Sequence, residues 1–322
     1  MKILSVMDPL GALTLDKDTT VGFMNAASER GHELWICEPH ELSLSGPQAF
    51  AHAQRVSLPE PNQVQLTGAR SRVSLAGFDC VWMRKDPPVD QRYLHATYLL
   101  DFANTWVINP PAQLRAYNEK LYALRFPEDT PETRLSSRVE ELLAWVQAEG
   151  APLVVKPLDG YAGLGVFVLK PEDQNARSAL ELLTDHGRRW VVAQRYLPEA
   201  RVGDQRVIFI DGEVVGSVLR TPREDDHRGN IHAGGSVSVV ELSERERALC
   251  ERVGARLKAD GIYFAGIDLI GGRLTEINIT SPTGIRELKE LADIDAGQLF
   301  VEGLEREVAR RAEGSNRGEL RS

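Results

Sequence analysis

Short apolar runs separated by turn residues dominate the first third of the chain. Residues 2–7 form one such run, ending at Asp8-Pro9-Leu10-Gly11, and residues 17–31 carry Val21, Met24 and Ala27 at helical spacing before a closing glycine. A second apolar run follows at 33–37. Strand, loop, helix, strand is the opening of a doubly wound α/β domain, whose ligands gather beyond the carboxyl ends of the strands. No Gly-x-Gly-x-x-Gly follows the first strand, which argues against a dinucleotide site. Residues 50–74 are polar and turn-rich, and a peripheral hairpin or an irregular excursion fits them. The run 78–83 delivers Arg84-Lys85-Asp86-Pro87-Pro88, which suits an anionic ligand and a solvated loop about equally. A helical stretch at 91–104, a run at 106–109 and Pro110-Pro111 close this domain near residue 112.

The pattern then changes. A helical segment, 113–125, holds Asn118-Glu119-Lys120; residues 130–133 read as a loop, and 139–149 as an amphipathic helix capped by Gly150. Residues 152–158 form a strand carrying Lys156, then a loop with Gly160, Gly163 and Gly165, then a strand at 166–169. Glycines there let backbone N–H groups approach phosphate oxygens. No helix follows, so the loop is neither a Walker A nor a Rossmann turn, and by itself it fits a plain hairpin. The β-rich run 190–196 ends in Gln194-Arg195-Tyr196-Leu197, and a clear hairpin follows around Asp211-Gly212, with Arg206 before its first arm and Arg220 closing its second. Residues 221–237 are glycine-rich and poor in apolar groups; a lid carrying Arg228 inward and a disordered tip both fit. A strong helix at 243–261 presents Leu249, Val253 and Leu257 on one face, closing helices occupy 285–311, and 312–322 reads as a disordered polar tail.

The rest is organised around residues 264–286, where two apolar runs flank Gly271-Gly272. Alternation puts Glu276 and Asn278 on one strand face. Asp268 joins them only if the parity of the hairpin allows it. A two-residue turn pairing Ile270 with Arg273 sets Asp268 opposite Thr275; an odd loop, Gly271-Gly272-Arg273, or a bulge sets it opposite Glu276, and the odd loop is the expectation. Two carboxylates and an amide oxygen on one face make a hard-oxygen site suited to Mg²⁺.

Apolar content of 42% and charged content of 26% are those of an ordinary globular protein, and a net charge of −9 argues against general nucleic-acid binding. Cys37, Cys80 and Cys250 are odd in number and widely spaced, as buried reduced thiols are. With no signal-like N-terminus and no membrane-length apolar run, the expectation is a cytoplasmic protein.

The order of these features resembles the ATP-grasp ligases, in which two α+β lobes clamp ATP between sheets. The wording is similar to the prokaryotic glutathione synthetases: MDP at 7–9, MRKDPP at 83–88, NEKL at 118–121, TPET at 130–133, KPLDG at 156–160, YLP at 196–198, RGN at 228–230, AGG at 233–235, and LTEIN with TSPT within 274–283. The resemblance implies an N-terminal doubly wound α/β domain at 1–112 and a two-lobed ATP-grasp domain at 113–311. Lobe one spans about 113–190 and lobe two about 191–311, with the lid at 221–237.

It also implies roles. Lys120 and Lys156 would contact ATP phosphates beneath the loop of Gly160, Gly163 and Gly165; Gln194, Arg195, Tyr196 and Leu197 would border the adenine, and Asp204 the ribose. Asp268, Glu276 and Asn278 would hold two Mg²⁺ ions, with Mn²⁺ as the alternative. Arg206, Arg220 and Arg228 would be catalytic, and with Arg84, Ser281, Pro282, Thr283 and Gly284 would surround the peptide. The implied reaction is ATP-dependent ligation of γ-glutamylcysteine with glycine through an acylphosphate, in a homotetramer without nucleic-acid or membrane partners. Two positions depart from the family pattern: Gln205 replaces a lysine, and Ser236 an arginine. The rivals are another ATP-grasp peptide ligase, such as a D-alanine or glutamate-adding ligase, and a nucleotide sensor that has lost catalysis.

Overall fold

The computed structural model describes residues 1–161, 163–222 and 235–319, with side chains as far as Glu313. The first part of the chain contributes β1 (Lys2–Val6), α1 (Thr19–Glu29), β2 (Glu33–Cys37), β3 (Leu42–Ser45), β4 (Gln48–Ser57), β5 (Gln65–Ser74), β6 (Cys80–Met83), α2 (Gln91–Leu100) and β7 (Trp106–Ile108). β2, β1, β6 and β7 lie parallel in that order, as βαβ crossovers require, and β4 adds antiparallel to β2 with β3 and β5 against it. Residues 50–74 are therefore mostly a hairpin arm, β4 to β5, at the sheet's margin. α1 begins where the Asp18 carboxylate accepts from Val21 N–H at 2.8 Å.

The middle part holds α3 (Pro111–Ala116), α4 (Glu119–Ala123), β8 (Thr133–Ser136), α5 (Val139–Glu149), β9 (Leu153–Pro157), β10 (Phe167–Leu169), α6 (Ala176–Leu183) and β11 (Val191–Arg195). The helix expected over 113–125 is two, because Asn118 is extended and caps the second through Lys120 and Leu121 N–H. β10, β9, β11 and β8 form an antiparallel sheet, covered by Leu142, Trp145 and Leu180 from α5 and α6. β11 pairs with both β9 and β8, so residues 191–195, expected in lobe two, lie in this sheet.

The last part holds β12 (Asp204–Ile210), β13 (Glu213–Thr221), β14 (Ser236–Val239), α7 (Glu244–Ala259), β15 (Phe264–Ile270), β16 (Arg273–Asn278), α8 (Ile285–Ala292) and α9 (Ala296–Glu319). Its sheet runs β14-β13-β12-β15-β16, all antiparallel. α9 carries helix through residues expected as a disordered tail; Glu307 pairs with Arg310 and Arg311 one turn on, which favours helix there. Of the segment 221–237 expected as a lid, Thr221 ends β13 and Ser236 opens β14, while Arg228 and the rest of 223–234 lie outside the described residues.

Two features lock this last part to the first. Phe23 of α1 stacks on Phe300 of α9 at 4.0 Å between centroids and meets Trp82 and Phe264 edge-on, within one shared core. Asn109, 4% exposed, donates to Phe264 and Ile279 carbonyls at 2.7 Å and accepts from Tyr263 and Phe264 N–H, so all its capacity is used where β15 starts and β16 ends.

Candidate active site

The hairpin β15–β16 settles the parity question differently from the expectation. Gly271 and Gly272 have φ of +55° and +70°, the left-handed pair of a two-residue type I′ turn, and Ile270 pairs with Arg273. Leu269 pairs with Leu274, but the next pair is Asp268 with Glu276. The loop is even, and a bulge at Thr275 restores the facing. The cause is packing: Leu269 and Leu274 must enter the core together, and Thr275 is accommodated by donating its hydroxyl to the Asp268 carbonyl at 3.0 Å. Asp268, Glu276 and Asn278 thus share one face. Gly266, opposite Asn278, keeps that face open, since a Cβ there would lie 2.9 Å from Arg206 Cδ and 3.0 Å from Pro282 Cβ.

That face forms one wall of a cleft of about 470 Å³ between the two lobes. Arg206 stands opposite Asp268 in the ladder and donates to both its oxygens, at 2.5 and 2.9 Å. Arg220 reaches Asp268 at 2.9 Å and also pairs with Asp204, directly across β12–β13. Burial by itself would raise the Asp268 pKa, but Arg206 and Arg220 outweigh it and hold the carboxyl well below its ordinary range. Asp204 goes the other way: burial, with the Asp268 charge beside it, overcomes Arg220 and pushes it up to about 6. Asp204 Oδ1 and Arg220 Nε are buried without a hydrogen-bond partner among the described residues. Gln205 turns to the opposite sheet face and donates to Ser217 at 3.1 Å, so its departure from the family pattern does not touch the cleft.

Across the hairpin the cations are lysines. Lys156, from β9 in the other lobe, reaches Glu276 at 3.0 Å. Lys120 on α4 bonds the Gly160 carbonyl at 2.6 Å and the Glu119 carboxylate, tying the helix to the glycine loop. Burial tends to raise Glu276, yet Lys156 and Lys120 bring it below its usual value; burial and the Glu276 charge raise Glu119. Lys120 is raised, because Glu276 and Glu119 outweigh its burial. Further along, Val154, Val168, Leu197 and Ile270 line an apolar slot between the lobes, and Gln194 is fixed by a 3.0 Å bond to Thr133. Arg195 borders the slot with its guanidinium paired to Glu132 and Glu149.

At the opposite end the loops after β1 and β6 join the segment after β16. Asp86 N–H donates to Asp8 at 2.9 Å, Lys85 pairs with Asp8 at 2.9 Å, and the Ser281 hydroxyl donates to Asp86 at 2.5 Å. Arg206 also donates to the Thr283 carbonyl at 3.1 Å.

The structure therefore gathers in the cleft Lys156, Gly163, residues 194–197, Asp204, Arg206, Arg220, the three hairpin residues and 281–283. Lys120, Gly160, Gly165 and Gly284 are not among the cleft's lining residues, though Lys120 bonds the Gly160 carbonyl and Glu119, which does line it. Arg84, expected at the peptide, is buried behind the loop instead: it donates to Thr20 at 3.1 Å and to the Pro282 carbonyl at 3.5 Å, over the Phe23 and Phe264 rings. Burial lowers its pKa. Glu119, Asp86 and Thr280 line the cleft without having been singled out, although the first two sit in the NEKL and MRKDPP motifs beside cations that were.

Two family models match this chain: the prokaryotic glutathione synthetase N-terminal domain over residues 1–115 and the ATP-grasp domain of the same family over 119–293. The chain belongs to the prokaryotic glutathione synthetase family. Glutathione synthetase of Parasynechococcus marenigrum (strain WH8102) is 45% identical over 307 residues, covering 94% of this chain and 99% of that protein. That of Gloeobacter violaceus is 46% identical over 313 residues, covering 94% and 96%. Among solved structures, D-cycloserine synthetase DcsG superposes with a TM-score of 0.67 at 17% identity, over 95% of this chain and 99% of that one, which shows the shared ATP-grasp fold. The chain is an ATP-dependent ligase of glutathione synthesis, and the family uses a divalent metal with its ATP. Among the described residues no helix is long and apolar enough to cross a membrane.

Proposed function

We propose that the cleft joins the cysteinyl carboxylate of γ-glutamylcysteine to the amine of glycine at the expense of ATP. The observation that carries this is the single row Arg206, Asp268, Glu276 across β12, β15 and β16, with arginines gathered on one acid and lysines on the other. Lysines with a glycine loop suit the ATP phosphates, and arginines suit the carboxylate that becomes phosphorylated. The slot of Val154, Val168 and residues 194–197 takes the adenine, and Asp204 the ribose.

The peptide carboxylate oxygen attacks the γ-phosphorus as the bond to ADP breaks, giving an acylphosphate. The glycine amine then attacks the acyl carbon; the carbon–oxygen bond breaks, phosphate leaves with the electron pair, and the amine proton passes to phosphate or solvent. Lys120, Lys156, Arg206 and Arg220 stabilise the charge that builds on the transferring group, so no protein nucleophile is needed. Asp268, Glu276 and Asn278 fit a hard divalent ion, Mg²⁺ or Mn²⁺, since their donors are oxygens and both acids are held ionised by the cations around them. Two such ions would neutralise the phosphate oxygens when bound. Residues 221–237, with Arg228, would exclude water from the acylphosphate.

The family resemblance further supports the domain limits given above, with the lobe boundary moved past Arg195, and a cytoplasmic homotetramer, which light scattering on the purified protein tests. The decisive assay is phosphate release from ATP with Mg²⁺, γ-glutamylcysteine and glycine, omitting each in turn and identifying the product by mass. Release that requires every component and yields glutathione is expected; release that ignores glycine would point to another amine acceptor.

A further inference from the structure

The peptide-binding end of the cleft contains a carboxylate that the chemistry above does not use. Asp86 lines the cleft beside Pro87, Ser281 and Pro282. Its backbone is pinned by the N–H bond to Asp8, and one carboxylate oxygen accepts from Ser281 at 2.5 Å. Asp8 is answered by Lys85 at 2.9 Å, but no cation among the described residues forms an ion pair with Asp86. Arg84, two residues earlier, is turned into the core and bonds Thr20 and the Pro282 carbonyl; its charge attracts Asp86 through space, but it gives the acid no hydrogen bond among the described residues.

An acid fixed at that place needs an explanation. The cations along the cleft suit ligands that are nearly all anionic, namely ATP phosphates and peptide carboxylates. A carboxylate with no ion-pair partner among the described residues, eased only through space by the Arg84 charge, disfavours every one of them. The one group on the peptide that it attracts is the glutamyl α-ammonium, at the opposite end of that molecule from the reacting carboxylate. Asp86 is held by Ser281, beside the segment whose Thr283 carbonyl Arg206 bonds, whereas Lys156 reaches the cleft at Glu276.

We infer that Asp86, oriented by Ser281, is the specificity residue that binds the glutamyl α-ammonium of the peptide substrate. This rests on the proposed ligation of γ-glutamylcysteine. It makes the enzyme a reader of both ends of its peptide: arginines at the carboxylate that reacts and an aspartate at the amine that does not. N-acylated or deaminated peptides are excluded because they leave Asp86 desolvated and unpaired, which is how a polar site rejects an analogue lacking its partner.

The test compares γ-glutamylcysteine with glutarylcysteine, identical except that the α-ammonium is replaced by hydrogen, in the wild type and in Asp86→Asn at fixed ATP, Mg²⁺ and glycine. The wild type should prefer γ-glutamylcysteine by roughly ten- to a hundredfold in kcat/KM, as a charge-assisted hydrogen bond does. In Asp86→Asn most of that preference should vanish through a higher KM for γ-glutamylcysteine, with KM for ATP unchanged. The ratio of the two substrates is measured within one preparation, so partial misfolding cancels. Ser281→Ala, which frees the carboxylate without removing it, should narrow the preference less. An unchanged ratio in Asp86→Asn would overturn the assignment, as would a rise in KM for glycine alone, which would give Asp86 to the incoming amine instead. A wild type that turns over neither peptide would sink the ligation reading itself, and the inference with it.

Discussion

Two acids face each other across one rung of β15–β16, and they live in different surroundings. Asp268 sits between two arginines, one of which grips both its oxygens; Glu276 sits among lysines and, among the described residues, is bonded by Lys156 alone at 3.0 Å. The arginine side is rigid, because a planar fork and a planar carboxylate fix each other's orientation. The lysine side is adjustable, because an ammonium on a flexible stem is a point charge that can follow a moving partner. The division matches the proposed substrates: a planar carboxylate must be held still for attack, while tetrahedral phosphates change shape and charge during transfer. In the free chain each acid stands in for the anion that its cations are to receive.

Replacing Glu276 by Gln tests that division hardest. It leaves shape and hydrogen bonding nearly intact, and turnover should fall by about a thousandfold or more with the melting temperature little changed; retained turnover would remove the metal and phosphate assignment. Arg206→Lys keeps the charge and discards the fork, so kcat/KM for the peptide should drop by about a hundredfold while ATP binding, followed by isothermal calorimetry, holds. If the two sides were equivalent, Lys156→Arg would damage peptide kinetics as much.

Stability separates the sides further. Arg206→Met leaves a buried Asp268 without its main partner and should destabilise the fold by about 3 kcal/mol, whereas Lys156→Met, facing the more accessible Glu276, should do so by about 1 kcal/mol; urea unfolding measures both. The smallest effect concerns Asp204. The native state holds its proton up to about pH 6, and a free aspartate only to about pH 4, so the folded chain binds more protons in that window and stability falls as pH rises through it. Asp204→Asn should remove about 1 kcal/mol of that fall, with little difference from wild type below pH 4. Asp268 and Glu276 act oppositely: their lowered values contribute stability above the ordinary carboxylate range that is lost as pH falls.

Much of this arrangement was legible in the residues. Alternation alone places Glu276 and Asn278 on one face, and the glycine pair marks the hairpin tip, whereas β12 begins at Asp204, earlier than the arm read from the residues. What alternation cannot show is which residue is extra in a strand, since Thr275 is chemically ordinary and its bulge follows from core packing on both strands. Glu119 and Asp86 escaped because they lie at a helix start and in a loop, where periodicity gives no direction. The burial of Arg84 was not legible for a different reason: a cation beside a strand end is expected in solvent, and the groups that accommodate it, Thr20, the Pro282 carbonyl, Asp18 and the rings of Phe23 and Phe264, come mostly from distant segments.

The Thr275 bulge also constrains how this enzyme can change. Thr275 is the residue that the ladder leaves out, so a gene that lost its codon would bring Leu269–Leu274 and Asp268–Glu276 together as consecutive pairs and keep Glu276 and Asn278 facing Asp268. A further residue gained between Arg273 and Glu276 would have to be left out as well, or Glu276 and Asn278 turn to the side opposite Asp268. The strand can therefore shorten at this place more readily than it can lengthen. A relative one residue shorter here should lack the bulge and keep the pairing of its two acids.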